Sequence, residues 1–215
     1  MHIFGESLTI KSNHIRKNID INARANDYPL LEKLSWKQIN EYSIAGQAPY
    51  LFYIGKDTKT IRLYDVDQRV RIIDFNKDYT DPMQKEKTKV GITFEFVNLL
   101  SNADGHLAGP WDRSGKNVSF PHSLLNNFIN DNMFNAFPED LKSVIKTVNK
   151  KVNVEHYWEG PYTLDDYLAK VFILSRDEIS IKEEMYRYYI ENPDKDKKIK
   201  CDLKNIPHEY FLRSP

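Results

Sequence analysis

Tyr50-Leu51-Phe52-Tyr53-Ile54-Gly55-Lys56-Asp57-Thr58-Lys59-Thr60-Ile61-Arg62-Leu63-Tyr64-Asp65-Val66-Asp67-Gln68-Arg69-Val70-Arg71-Ile72-Ile73-Asp74-Phe75 is the stretch whose reading decides the fold. It is rich in β-branched and aromatic residues and is broken by a turn glycine. The pattern predicts a strand over 50–54, a turn at Gly55-Lys56-Asp57 and a second strand from Thr58 to Val66. A further turn at Asp67-Gln68 leads into a third strand, Arg69 to Phe75. The result is an antiparallel meander with one apolar face.

Upstream, Ser35 followed three residues later by Gln38 forms a capping box, and Gly46 supplies a stop. A short helix from Trp36 to about Ala45 is therefore expected. Residues 1–33 hold a short strand pattern at Ser7 to Ile10 and a basic, Asn-rich stretch from Lys11 to Asn26, read as an extended arm or docking segment. Downstream, Asn76 to Lys89 reads as a loop, and Gly91 to Val97 alternates as another strand. Ser101 to Ser119 is a long irregular loop around Trp111.

Two helices follow. Ser123 to Phe134 carries an apolar stripe of Leu124, Leu125, Phe128 and Ile129. Pro138 opens a second, with Leu141, Val144, Ile145 and Val148 on one face and Lys150 and Lys151 at its C-terminal end. Val171 to Leu174 reads as a short strand, Asp177 to Ile190 as helical and Asn192 to Lys200 as a charged loop. No internal repeat or low-complexity tract occurs. The expected class is α+β, with a meander, two central helices and an N-terminal arm.

The chain has 215 residues, enough for a full core without disulfides. Its 31 basic and 31 acidic residues cancel, so no global field draws it to nucleic acid or an anionic membrane. Cys201 is alone, which excludes an internal disulfide and a Cys-rich zinc site. Met1 to Asp20 has no apolar core of the signal-peptide kind. Neither a signal peptide nor membrane insertion is expected.

The run Leu34 to Ala48, Phe52 to Ile61, Val70 to Asn76, Gly91-Ile-Thr-Phe94, Gly109-Pro-Trp-Asp-Arg-Ser114, Phe137-Pro-Glu-Asp-Leu141, Val171 to Ser175 and Phe211-Leu-Arg-Ser-Pro215 follow one another along the chain. Together these motifs resemble a domain family of unknown function found in phages, prophages and Gram-positive surface proteins. The resemblance spans about residues 34–215 and implies a C-type-lectin-like domain similar to formylglycine-generating enzymes. In that family the Leu-Arg-Ser-Pro motif is followed by further strands. Here Tyr210 to Pro215 closes the chain, so the expectation is a trimmed chain, a partner that covers the sheet edge, or a core closed in another way.

The chemistry expected of this domain is binding. Copper-dependent oxidation of the kind the resemblance brings with it needs a pair of cysteines, and Cys201 is single. The six histidines show no zinc spacing; His106 and His122 flank the Trp111 loop but read as surface or hydrogen-bonded residues. Asp165-Asp166 and Glu183-Glu184 read as solvated helix faces. Calcium, used by many C-type-lectin folds, would have Asp104, Asp112 and Asn117 to draw on, yet these show no calcium-loop pattern and are the turn formers such a loop needs. No cofactor is expected. The glycines of this loop have no phosphate-loop spacing.

Aromatic residues in loops carry the binding signal. Trp111 and Asp112, the run Tyr157, Trp158 to Tyr162, and Arg213 are the candidate ligand contacts, offering flat apolar faces beside polar groups. The function expected is a non-enzymatic virion component of a phage or prophage, such as a tail, fibre or decoration subunit, assembled in the host cytoplasm. Its partners would be a host glycan or protein, or neighbouring subunits of a larger assembly. The alternative is an intracellular phage-encoded enzyme or host-takeover factor with a polar pocket.

Overall fold

Tyr64 and Asp65, with φ of 50° and 60°, turn the chain between the first two strands. This is the two-residue type I′ geometry, whose twist matches that of paired strands. The computed structural model describes residues 31–80, 88–100, 118–153, 164–181, 183–193, 199–201 and 207–209. In it β1 (Thr58–Leu63) pairs with β2 (Val66–Phe75), Leu63 facing Val66 across the turn. β3 (Ile92–Phe96) pairs antiparallel with the other edge of β2. The meander thus exists, but one strand later than the sequence pattern placed it. Asp67-Gln68 lies inside β2, and 50–54 forms no strand.

Pro49 explains the second shift. It sits in the first turn of a short helix, α2 (Ala48–Leu51), where its missing N–H is no loss. α1 (Trp36–Ile44) precedes it and starts as expected, with both halves of the Ser35/Gln38 capping box formed. Gly46 ends it at φ +68°. Leu31, in the stretch read as an arm, belongs to a 3-10 turn and packs in the core. Lys59 reaches back to the carbonyls of Glu32 and Leu34, at 3.1 and 2.6 Å, and ties that turn to β1.

The helix read from Ser123 is present as α3, residues 124–136, capped by Ser123 and carrying a π-helical turn at Phe128–Met133. The wider turn presents Asn130 to the backbone of Val171, donating to its carbonyl at 3.0 Å and accepting its N–H at 3.2 Å. Val171 to Leu174 is consequently held as an irregular segment and forms no strand.

The helix expected to run from Pro138 to Lys151 is corrected most. It lasts one turn, α4 (Glu139–Lys142), and Val148–Asn153 is instead β4, paired antiparallel with β5 (Leu164–Ala169). Val144, Ile145 and Val148 satisfy a helical period, but Val148, Lys150 and Val152 also satisfy a period of two. β-branched residues favour the latter once a partner strand is available. The expected helix over 177–190 is likewise split into α5 (Arg176–Ser180) and α6 (Arg187–Glu191). The break lets Met185, Tyr186, Tyr188 and Tyr189 all bury. A last hairpin pairs β6 (Ile199–Cys201) with β7 (Pro207–Glu209).

The architecture is α+β, with antiparallel pairing throughout the described sheets. One face of the meander, with Ile61, Leu63, Val70 and Ile72, packs with Trp36, Ile39, Phe120, Ile129, Met133 and Leu141 in the main core. Trp36 meets Phe94 edge to face at 5.4 Å. The other face is covered by the 174–189 segment, whose Leu174, Ile179, Met185, Tyr186, Tyr188 and Tyr189 cluster with Ile73. Among the described residues, no helix is long and apolar enough to cross a membrane.

Candidate functional site

A β-bulge builds the polar site. The register of β2 against β3 slips between Ile72 and Asp74, so Ile73 and Asp74 together oppose Thr93. Such a bulge turns consecutive side chains toward one face. Ile73 therefore joins the second cluster, while Asp74 accepts the backbone N–H of Arg187 at 2.9 Å. The chain leaves β2 through Asn76, at φ +53°, and Asp78 follows. Its carbonyl accepts Val90 N–H at 2.9 Å, and Tyr79 carbonyl accepts Asn149 N–H at 2.9 Å. Thr80 bridges Val148, which brings Asp78 beside the start of β4.

On β4 the alternation turns Val148, Lys150 and Val152 inward and Lys151 outward. Lys151 pairs with Asp166 across the hairpin at 2.6 Å. Lys150 instead points its ammonium into the interior, where its side chain is 4% exposed, between Asp78 at 6% and Glu178 at 12%. It donates to Asp78 Oδ1, to Tyr186 Oη and, at 2.8 Å, to Glu178 Oε1. An ammonium has three donors, and three acceptors meet it.

The acceptors are themselves held. Tyr186 Oη donates to Asp78 Oδ1 at 2.8 Å, and Thr93 Oγ1 donates to Asp78 Oδ2 at 2.5 Å. Glu178 Oε2 accepts Ser175 N–H at 2.8 Å as one half of a capping box that opens α5. The ring of Phe172 lies 4.0 Å from Lys150 Nζ and that of Tyr186 5.0 Å, so the charge also faces two aromatic surfaces.

A second buried pair lies along the same sheet face. Arg71 and Glu95 are opposite in register, and both Nε and Nη2 of Arg71 reach Glu95 Oε2, at 3.1 and 2.8 Å. Tyr189 Oη donates to the other oxygen at 2.5 Å, and the Arg71 guanidinium lies 4.0 Å from the ring centre of Tyr188. Glycine is required close by. Gly55 has φ +71°, and a Cβ there would come within 2.7 Å of the Tyr188 ring.

Chemically, the Lys150 cluster gathers an amine, two carboxylates, a phenol and an alcohol away from bulk water. Its burial favours chemistry among its own members over attack on a diffusible substrate. Among the described residues, no group of three or more His, Cys, Asp and Glu is placed to hold a metal ion.

The candidates read from the sequence, Trp111, Asp112, Tyr157, Trp158, Tyr162 and Arg213, lie outside the described residues, as do Asp104, Asn117 and His106. The strand ends that flank the 157–162 run are described: Asn153 pairs with Leu164. Asp165-Asp166 is exposed on β5, and Glu183-Glu184 is exposed in a turn; both were expected to be solvated, but neither lies on a helix. His122 is exposed in a 3-10 turn. Sequence reasoning missed Asp78, Thr93, Lys150, Glu178 and Tyr186. Asp78 and Lys150 are 72 positions apart, and no local pattern joins them. The only available signals were Ser175 three residues before Glu178 and the alternation of Val148, Lys150 and Val152.

No curated protein and no solved structure matches the chain. A family model described as a domain of unknown function, DUF6273, matches residues 97–215. The resemblance expected from the sequence ran from about residue 34. The matched part holds Lys150, Glu178 and Tyr186, whereas Thr93, on β3, and Asp78, just beyond β2, precede it. Over 97–215, more than half its length, the chain belongs to the DUF6273 family of unknown function.

Proposed function

We propose that this protein is a non-catalytic binding component of a phage or prophage particle, a tail, fibre or decoration subunit with a C-type-lectin-like domain. Helices packed on an antiparallel meander with separate small hairpins support the lectin-like reading. The observation that carries the binding role is the mounting of the β4–β5 hairpin. Its Lys150 is locked into the buried cluster, and the residues that connect its paired ends, Asn153 and Leu164, include Tyr157, Trp158 and Tyr162. Contact residues work best on a mount fixed by packing and hydrogen bonds. Trp111, Asp112 and Arg213 complete the proposed contact set, which takes a host glycan, a host protein or a neighbouring subunit.

The test applies labelled full-length protein to an array of bacterial cell-wall and capsular polysaccharides and to immobilised bacterial surface proteins. Trp158→Ala and Tyr162→Ala should weaken the strongest interaction at least about tenfold, as expected for aromatic anchors, with unchanged thermal melting. Wild-type affinity in both variants would overturn the assignment. Turnover of a substrate, lost in Lys150→Met while the fold persists, would replace it with the enzymatic alternative.

A further inference from the structure

We propose that Lys150 and Asp78 are joined by an intramolecular amide bond, formed after folding with Glu178 as the proton shuttle. The inference stands on side-chain geometry and is independent of the binding role. Lys150 Nζ is in direct hydrogen-bonding contact with Asp78 Oδ1, and both side chains are almost wholly buried. Glu178 Oε1 stands 2.8 Å from the same nitrogen. Its other oxygen is tied to the Ser175 backbone, so the carboxylate is aimed by its own helix start.

Asp78 is the carboxyl group prepared for attack. Tyr186 donates to its Oδ1 at 2.8 Å and Thr93 to its Oδ2 at 2.5 Å. Two hydroxyl donors on one carboxyl group withdraw electron density from Cγ; Thr93 stands at the oxygen that becomes the oxyanion and Tyr186 at the oxygen that leaves. Glu178 has its second oxygen committed to a helix cap, which suits a base that must stay in place. Holding amine and acid in contact removes the entropic cost of bringing them together. Phe172 and Tyr186 exclude water, and the neutral amide product is better suited to that enclosure than separated charges are.

The step balances without an oxidant or another reactant. One proton passes from the Lys150 ammonium to the Asp78 carboxylate, leaving an amine beside a carboxylic acid. A side-chain torsion carries Nζ over the carboxyl plane, and its lone pair forms the bond to Cγ while the carbonyl electron pair moves onto Oδ2, facing Thr93. Nζ then gives a second proton to Glu178. Oδ2 re-forms the carbonyl, the Cγ–Oδ1 bond breaks, and the departing hydroxyl takes the proton from Glu178 and leaves as water. Glu178 returns to its carboxylate form, and one hydrogen remains on the amide nitrogen.

The bond would fasten the exit of the meander to β4 across 72 positions of sequence, next to the Thr80–Val148 bridge. The experiment is intact-mass spectrometry of the denatured full-length protein, followed by peptide mapping. Wild type should be lighter than its sequence mass by one water and should yield a branched peptide containing both Asp78 and Lys150. Lys150→Arg and Asp78→Ala should have full sequence mass. Glu178→Gln should keep the native circular dichroism spectrum and also retain full mass. Wild type at full mass overturns the proposal, as does a lost water mapped elsewhere, for example to a succinimide at Asp104-Gly105. Wild-type cross-linking in Glu178→Gln overturns the shuttle role.

Discussion

Lys150→Met tests how much the buried cluster holds the fold together. The substitution keeps an unbranched stem against Phe172 and Tyr186 and removes the charge that faces Asp78 and Glu178. Breaking a buried ion pair from one side costs about 3–5 kcal/mol, because the remaining charge is stranded. A methionine sulfur against aromatic rings returns about 0.3–1.5 kcal/mol. The net loss is thus roughly 2–4 kcal/mol. For a chain of this size about 2–4 °C is lost per kcal/mol, so melting should fall by roughly 5–15 °C. If the amide has formed it takes the place of the ion pair, and the variant instead loses about 4 kcal/mol through the loop that the cross-link closes, in the same direction. The assay is thermal melting by circular dichroism, together with urea unfolding. The triple variant Asp78→Asn, Lys150→Met, Glu178→Gln serves as the comparison. Removing the stranded charges should return part of the loss. A melting change below about 2 °C in Lys150→Met, or a triple variant less stable than the single one, would refute the reasoning.

Other positions give independent checks. Gly55→Ala combines a positive φ with a Cβ 2.7 Å from the Tyr188 ring, and should cost about 2–4 kcal/mol in urea unfolding. Asp65→Gly relieves the type I′ turn at φ 60° and should raise stability by about 0.5–1 kcal/mol, read as a higher urea midpoint. Burial raises the Tyr64 phenol above its ordinary value of 10.0. Its folded form keeps the proton longer than the unfolded chain, so stability holds below the ordinary tyrosine value and falls as pH climbs from there through the folded value. Tyr64→Phe should flatten that alkaline decline in stability measured against pH.

Local chemistry was legible wherever a few neighbouring residues decide the outcome. Ser35 with Gln38, Gly46, and the Ser123 start of α3 were each read correctly because caps and stops involve contacts within a turn. β3 was legible from alternation over 91–97. The reading failed where two periods fitted the same residues. Val144, Ile145 and Val148 suit a helix, Val148, Lys150 and Val152 suit a strand, and only the presence of β5 chooses between them. It failed again at Tyr64-Asp65, a pair without the glycine that usually marks a type I′ turn.

By itself, then, the sequence determined an α+β domain with neutral charge, an apolar meander, one well-capped helix and no local motif for catalysis. These follow from composition and short-range pattern. Tertiary structure alone decided that Lys150, read as a cation at a helix end, is a buried charge between Asp78 and Glu178. Lys150 and these two partners arrive from three segments, and the bulge at Ile73-Asp74 together with the Thr80–Val148 bridge brings them together. Burial, not proximity in sequence, turns an ordinary lysine into the centre of the molecule's polar interior, because away from water its charge must be met by specific partners.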